Sequence, residues 1–181
     1  MGFVWCQREA INALPTFREH FIPDVTPDKL EAGTYAYESV AGMDAAIGYL
    51  EGLGEPGATR TATIRSAMTR IADYERTLSA AMLDALQGIR GVSVHGVTDR
   101  ARLDERVPTF AFSVEGVSSA AVAEGLASHD IGVRSGHMYS PRLLTRLGLL
   151  PNGVVRASLV HYNTIAEIAR FRNALIELLG T

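Results

Sequence analysis

Two short stretches in the second half of the chain hold the residues best suited to binding an anion. The first covers residues 131–141 and contains two glycines, an arginine, a histidine and a tyrosine. Its pattern predicts a strand that ends at Arg134, a glycine turn that presents His137 and Tyr139, and a helix that begins at Ser140. A cation, an imidazole, a phenol and a helix N-terminus close together suit an anionic ligand. An ordinary polar surface loop explains the same pattern equally well.

The second stretch, residues 154–160, is apolar except for Arg156 and Ser158, which is typical of a strand. Strand alternation places these two residues on the face opposite Val155 and Ala157. An arginine within an apolar strand needs an anionic partner, because its charge cannot be removed by deprotonation. By residue type alone, an internal aspartate or glutamate is the more common partner, and a substrate carboxylate is the alternative.

The other reactive residues favour structural roles. Residues 52–57 match G-x-G-x-x-G, but they end a predicted helix and include Glu55 and Pro56, so we predict an interhelix turn and no dinucleotide site. The five histidines lack metal-ligand spacing, so no metal site is expected. The single cysteine, Cys6, lies in an apolar run and is expected to be buried, while the single lysine, Lys29, is expected to be a solvated turn residue.

Composition limits the class of protein. The 181 residues are 47% hydrophobic, and 17 basic against 20 acidic residues give a net charge of −3. This balance predicts a globular fold and argues against nucleic acid as the main partner. No apolar run is long enough to span a membrane, and one cysteine excludes an internal disulfide, so we expect a cytoplasmic protein.

Periodicity predicts an α/β organisation in two parts. Residues 1–90 are predicted to contain a buried strand over Phe3–Cys6, a helical turn ending at Pro15, a proline-punctuated arm and two helices over about 38–52 and 61–86. Residues 91–181 are predicted to form a compact α/β domain. Its expected strands cover 92–97, 110–114, 131–134 and 154–160, and its helices begin near Ser118, Ser140 and Thr164.

Three motifs, taken together and in order, resemble a known family. Glu31-Ala32-Gly33-Thr34 resembles the E-x-G-T stretch of class V aminotransferases. Val133-Arg134-Ser135-Gly136-His137 resembles the V-R-x-G-H of their cysteine desulfurase branch. Val155-Arg156-Ala157-Ser158, followed by His161-Tyr162-Asn163-Thr164, resembles the R-x-S…Y-N-T ending of that branch. The chain therefore resembles the C-terminal portion of a pyridoxal-phosphate-dependent enzyme.

The resemblance implies a type I pyridoxal-phosphate transferase fold, with a large cofactor domain, a small C-terminal α/β domain and a homodimeric assembly. Residues 1–90 would be the C-terminal remnant of the large domain with an interface arm, and residues 91–181 the small domain. The resemblance also implies that Gly33 and Thr34 contact the phosphate of pyridoxal 5'-phosphate in the partner subunit.

The same resemblance assigns substrate-binding residues. Arg156 would hold the α-carboxylate of an amino-acid substrate, and Arg134, His137 and Tyr139 would line the site. Desulfurases carry a sulfur-accepting cysteine at the position of Tyr139, so we do not expect desulfuration through a persulfide. Transamination, β-elimination and epimerisation all remain open.

One further departure concerns the lysine that carries the cofactor. In the family it precedes the strand that matches Phe3–Cys6, and Lys29 does not match it. We therefore place no catalytic residue in this chain and expect the chain alone to be inactive. A non-catalytic binding or dimerisation module of the same fold is the alternative.

Overall fold

The computed structural model describes residues 2–31 and 33–180. The helices within them are α1 (Arg8–Ala13), α2 (Tyr37–Gly52), α3 (Arg60–Gln87), α4 (Ser119–Ala127), α5 (Pro141–Arg146) and α6 (Ile165–Leu179). The strands are β1 (Val92–His95), β2 (Thr109–Val114), β3 (Arg134–Gly136) and β4 (Val154–Ser158). The chain divides into two compact units between Ile64 and Arg65, within α3. The predicted boundary between a large and a small domain at residues 90 and 91 stays a prediction.

The N-terminal unit begins with an exposed segment and no strand. Phe3 is 76% exposed, Trp5 is 83% exposed, and neither belongs to a sheet, so the predicted buried strand is wrong. A strand requires a partner for its backbone N–H and C=O groups, and no described segment of the chain pairs with this one. Cys6 is exposed for the same reason, which corrects the expectation that it is buried.

Lys29 also departs from its prediction. It is only 5% exposed, and its ammonium lies 3.3 Å from the carboxylate of Asp24. The ammonium also donates a hydrogen bond to the carbonyl of Asn12 at 3.3 Å. The hydrogen bond from Lys29 and the charges of Arg18 and Lys29 hold the pKa of the Asp24 carboxyl below its usual value. Lys29 is therefore a buried, paired cation, because burial without such partners would be costly.

The glycine-containing segment lies between α2 and α3, as predicted for an interhelix turn. The N–H of Gly57 donates to the hydroxyl of Thr63 at 2.9 Å, near the start of α3. A Cβ on Gly57 would lie 2.8 Å from the Cβ of Ala62, so the turn requires a glycine there. The segment does not follow a strand, and the rejection of a dinucleotide fingerprint is consistent with this placement.

The C-terminal unit is built on one four-stranded antiparallel sheet. Its strand order is β1-β2-β4-β3. One face of the sheet packs against the second half of α3, α4 and α6 to form the core. Phe110, Phe112 and Val155 on this face are fully buried, and burial of each such side chain contributes roughly 1.5–3 kcal/mol. The sheet is therefore held from one side, and its other face is free to carry polar residues.

The caps of this unit largely follow the sequence prediction. The hydroxyl of Ser118 accepts a hydrogen bond from the N–H of Ala121 at the start of α4. Thr164 and Glu167 form the predicted capping box at the start of α6. Ser140 precedes α5 but makes no capping bond with its side chain. The third strand is placed later than predicted, at Arg134–Gly136, because residues 131–133 form no ladder with β4.

Candidate functional site

The face of the sheet that points away from the core is polar, and we call it the polar face. The strand register places its residues in cross-strand pairs. One row across the sheet runs from His95 through Ala111 and Arg156 to Arg134. The other polar members of this face on these strands are Ser93, Thr109, Ser113 and Ser158, and the buried Val154 and its register partner Gly136 also lie on it.

Arg134 and Arg156 are the central feature of this face. They are direct register partners on β3 and β4, and both are exposed. The Cα atoms of such a pair lie about 4.5–5.5 Å apart, so the two side chains leave the sheet side by side. Like charges directly opposite each other in a sheet are unfavourable unless an anion lies between or beside them. The register therefore creates a site that favours an anion.

No carboxylate from the described part of the chain neutralises these arginines. None of the ion pairs found there involves Arg134 or Arg156. The sequence between Asp130 and Glu167 contains no aspartate or glutamate. The internal acidic partner that residue type alone favours for Arg156 is therefore not found among the described residues, because the side chain reaches solvent on the polar face and is not enclosed by the core.

The loop after β3 carries His137 and Tyr139 in a constrained conformation. Met138 and Tyr139 have φ values of 49° and 58°, in the left-handed region that non-glycine residues rarely adopt. The N–H of Tyr139 donates to Nδ1 of His137 at 3.1 Å. In the neutral imidazole this leaves the proton on Nε2, so His137 presents an N–H donor to its surroundings. Tyr139 is 95% exposed.

A close backbone contact fixes where this loop starts. Gly153, just before β4, has a φ of 70°, and a Cβ there would lie 2.5 Å from the backbone of Gly136. Any larger residue at this position would push the end of β3 away from β4. The structure thus brings Arg134 and Arg156 together by register. His137 and Tyr139 follow on the segment that leaves the same strand.

Gly33 and Thr34, predicted to contact the cofactor phosphate, lie in the N-terminal unit. Gly33 has a φ of 88°, and a Cβ built on it meets no atom within 4 Å, so the space beside it is open. Thr34 is exposed, and its hydroxyl makes no hydrogen bond within the described residues. An amide N–H and a free hydroxyl are donors that fit a phosphate. Ala32 of the same motif lies outside the described residues, and the phosphate contact stays a prediction.

His95 is a polar-face residue that the sequence interpretation missed. Its Nε2 lies 2.9 Å from the hydroxyl of Ser113, and burial lowers its pKa from the ordinary value of 6.5. The alternation of Ser93 and His95 with Val92 and Val94 would have placed it on this face. His95 shares a row with Arg156, separated from it by Ala111.

Arg106 was also missed, and its role is structural. Its guanidinium stacks 3.9 Å from the ring centre of Phe110 and donates to the carbonyls of Val97 and Thr109 at 2.6 and 2.9 Å.

Across the residues that the structure describes, no group of three or more His, Cys, Asp or Glu could hold a metal ion. No helix among them has both the length and the apolar composition that crossing a membrane requires.

Comparison with known sequences gives consistent matches. The profile of the aminotransferase class-V family matches residues 9–171. An aminotransferase-like protein of Gibberella zeae is 37% identical over 178 residues, which cover 97% of this chain and 42% of that protein. A probable cysteine desulfurase of Synechocystis sp. is 30% identical over 186 residues, covering 97% of this chain and 40% of that protein.

Comparison with solved structures agrees. The apo cysteine desulfurase of Thermococcus onnurineus superposes with a TM-score of 0.73 and 28% identity, over 92% of this chain and 39% of that one. A cysteine desulfurase of Escherichia coli has the same fold, with a TM-score of 0.69 and 24% identity over 96% of this chain and 41% of that one. The chain thus spans about two fifths of the length of these relatives.

These matches confirm the predicted fold and the predicted resemblance. The mixed α/β structure with its small antiparallel sheet corresponds to part of a type I pyridoxal-phosphate transferase fold. The matched family depends on pyridoxal phosphate. The chain belongs to the class V aminotransferase family and is similar to the cysteine desulfurases within it.

Proposed function

We propose that this chain supplies the substrate-carboxylate site of a pyridoxal-phosphate-dependent enzyme that acts on an amino acid. The observation that carries the proposal is the cross-strand pair of Arg134 and Arg156, exposed on the polar face with no anionic partner among the residues that the structure describes. A guanidinium can donate two parallel hydrogen bonds to one carboxylate, which fixes both the position and the orientation of the ligand. Arg156 is the proposed anchor of the α-carboxylate.

His137 and Tyr139 are proposed to border the same substrate. The backbone N–H of Tyr139 leaves Nε2 of His137 as the outward hydrogen-bond donor, which suits an oxygen atom of the ligand. Tyr139 adds a phenol that is almost fully exposed. A phenol cannot accept sulfur to form a persulfide, so we propose that the reaction is not desulfuration by that route. Transamination, β-elimination and epimerisation all fit these residues.

The cofactor is proposed to contact this chain through Gly33 and Thr34. The open space beside Gly33 and the exposed Thr34, whose hydroxyl has no hydrogen-bond partner among the described residues, would hold its phosphate. Pyridoxal phosphate, when bound, withdraws electrons from the α-carbon of an amino acid, and the protein's task is to bind and orient both molecules. Lys29 does not serve that chemistry here, because its ammonium is buried and bonded to Asp24 and Asn12.

A homodimer is part of the proposal. Within the described residues of the N-terminal unit, no apolar side chain is buried, while eleven large apolar side chains are exposed. Phe17 at 107% exposure and Trp5 at 83% are the extreme cases. Apolar surface of this extent normally marks an interface. The same observation supports the second candidate, a non-catalytic dimerisation module.

The two candidates are separated by the absorbance of bound pyridoxal phosphate in the complete protein. An enzyme should show a cofactor band that shifts when L-alanine is added. The Arg156→Gln variant should keep the band without amino acid, because Arg156 contacts substrate only, but need at least tenfold more L-alanine for the shift. The matched variant Arg90→Gln, which removes an exposed arginine just before β1, should behave as the wild type. Absence of any bound cofactor would favour the dimerisation module.

A further inference from the structure

We propose that Ser119 is a positioning residue for the substrate site, because its hydroxyl holds in place the loop that carries His137 and Tyr139. The inference rests on the proposed function. Residues 137–152, which we call the site loop, leave the sheet after β3 and return to it at β4. Ser119 is the first residue of α4 and is only 6% exposed. Its hydroxyl donates a hydrogen bond to the carbonyl of Asn152, at the end of the site loop.

The end of the site loop is in direct contact with its start. Gly153, which follows Asn152, is the residue whose Cβ would lie 2.5 Å from the backbone of Gly136. His137 follows Gly136 in sequence, and the N–H of Tyr139 donates to Nδ1 of His137 at 3.1 Å. Each step of this path is a covalent bond, a backbone contact or a hydrogen bond. A displacement of Asn152 is therefore transmitted to both side chains that border the proposed substrate.

Few other contacts hold the site loop against the rest of the unit. Within the described part of the chain, all other hydrogen bonds found for residues 138–152 are made inside residues 137–153. Leu144 is the one buried side chain of the site loop, all of which the structure describes. A cleft of about 440 Å³ lies between residues 148–153 and the neighbouring ends of β1 and β2. The bond from Ser119 is therefore a large part of what fixes this loop.

Removal of that hydroxyl should loosen the site loop without unfolding the chain. Alanine is a strong helix former, so Ser119→Ala keeps α4 and deletes one hydrogen-bond donor. Asn152 is exposed, so its carbonyl can bond to water instead. The effect on the loop, and through it on the substrate, is limited to the net contribution of one hydrogen bond. That contribution corresponds to a change of about threefold to tenfold in an equilibrium constant.

The test measures the loop and the substrate separately. Amide hydrogen exchange of the full chain, followed by mass spectrometry, should be about threefold to tenfold faster within residues 137–152 in Ser119→Ala and unchanged within β2. In the complete protein with bound pyridoxal phosphate, Ser119→Ala should need about threefold to tenfold more L-alanine to shift the cofactor band. The band without amino acid should stay as in the wild type. Ser119→Thr keeps the hydroxyl and should match the wild type in both measurements.

Ser118→Ala is the matched control, because it removes the hydroxyl of the preceding residue, which caps α4. It should lower the stability of the chain to urea but leave the exchange of residues 137–152 and the L-alanine requirement unchanged. Unchanged exchange in Ser119→Ala, or faster exchange with an unchanged L-alanine requirement, would overturn the inference and leave the carboxylate anchor at Arg156 intact. Equal effects of the two alanine variants on the site loop would also overturn it. Failure of the wild type to respond to L-alanine would overturn the proposed function, and the inference with it.

Discussion

Replacement of Arg156 by lysine separates a substrate anchor from a structural cation. Lysine keeps the positive charge and most of the length of the side chain, but it replaces a planar fork by a single ammonium. In the structure the guanidinium has no acidic partner among the described residues and is exposed on the polar face. The substitution therefore breaks no internal ion pair, and it changes only what the side chain can offer to a ligand.

The expected magnitude follows from the number of hydrogen bonds lost. A bidentate contact has two charge-assisted bonds, and lysine retains one of them. A hydrogen bond to a charged group contributes about 1.5–3 kcal/mol. At about 1.4 kcal/mol per factor of ten, the affinity for an amino acid should fall about tenfold to a hundredfold. The free energy of unfolding should change by less than about 0.5 kcal/mol, as is usual for exposed positions.

The assay combines two measurements on the same preparation, with Arg90→Lys as the control for conservative substitution of an exposed arginine. Calorimetric titration gives the affinity for an amino acid, and denaturant unfolding gives the stability. A stability loss of roughly 3–5 kcal/mol, the cost of breaking a buried ion pair, together with unchanged affinity, would refute the reasoning. Arg156 would then have an acidic partner in solution, and the carboxylate-anchor proposal would fail.

Two further predictions concern His95 and Lys29. Burial lowers the pKa of His95 in the folded chain, so as the pH falls the unfolded state takes up a proton before the folded state does. The free energy of unfolding, measured by urea unfolding at each pH, should therefore fall as the pH drops from 7.5 to 5.5. In His95→Gln the free energy of unfolding should fall less over the same range. Lys29 should not be labelled when pyridoxal phosphate and sodium borohydride are added, because its ammonium is buried and paired with Asp24. Peptide mapping measures the labelling, and stoichiometric label on Lys29 would contradict this prediction.

Much of the fold was predictable because helices and caps depend on local sequence. The helical stripe of α3, the serine before α4 and the capping box at Thr164 all occur where the residue pattern indicated. These features depend on contacts between residues about four positions apart or fewer, so the local sequence is enough to predict them. The alternation of β4 likewise placed Arg156 on the face opposite Val155.

Predictions failed where burial depended on distant residues. Apolar character suggested a buried strand at Phe3–Cys6, but a strand forms only with a partner, and none of the described segments pairs with it. A lone lysine in a turn suggested a solvated side chain, yet Asp24 and the carbonyl of Asn12 allow Lys29 to be buried. In both cases the deciding contacts lie outside the local pattern.

The sequence by itself determined the family motifs, the face on which Arg156 lies, and the absence of acidic residues between Asp130 and Glu167. Only the tertiary structure decided that Arg134 is the cross-strand partner of Arg156 and that Tyr139 orients His137. Residue periodicity specifies a face, but not which strand lies beside it or in which register. Register is chosen by the packing of the sheet on α3, α4 and α6, and by the close contact of Gly136 with Gly153.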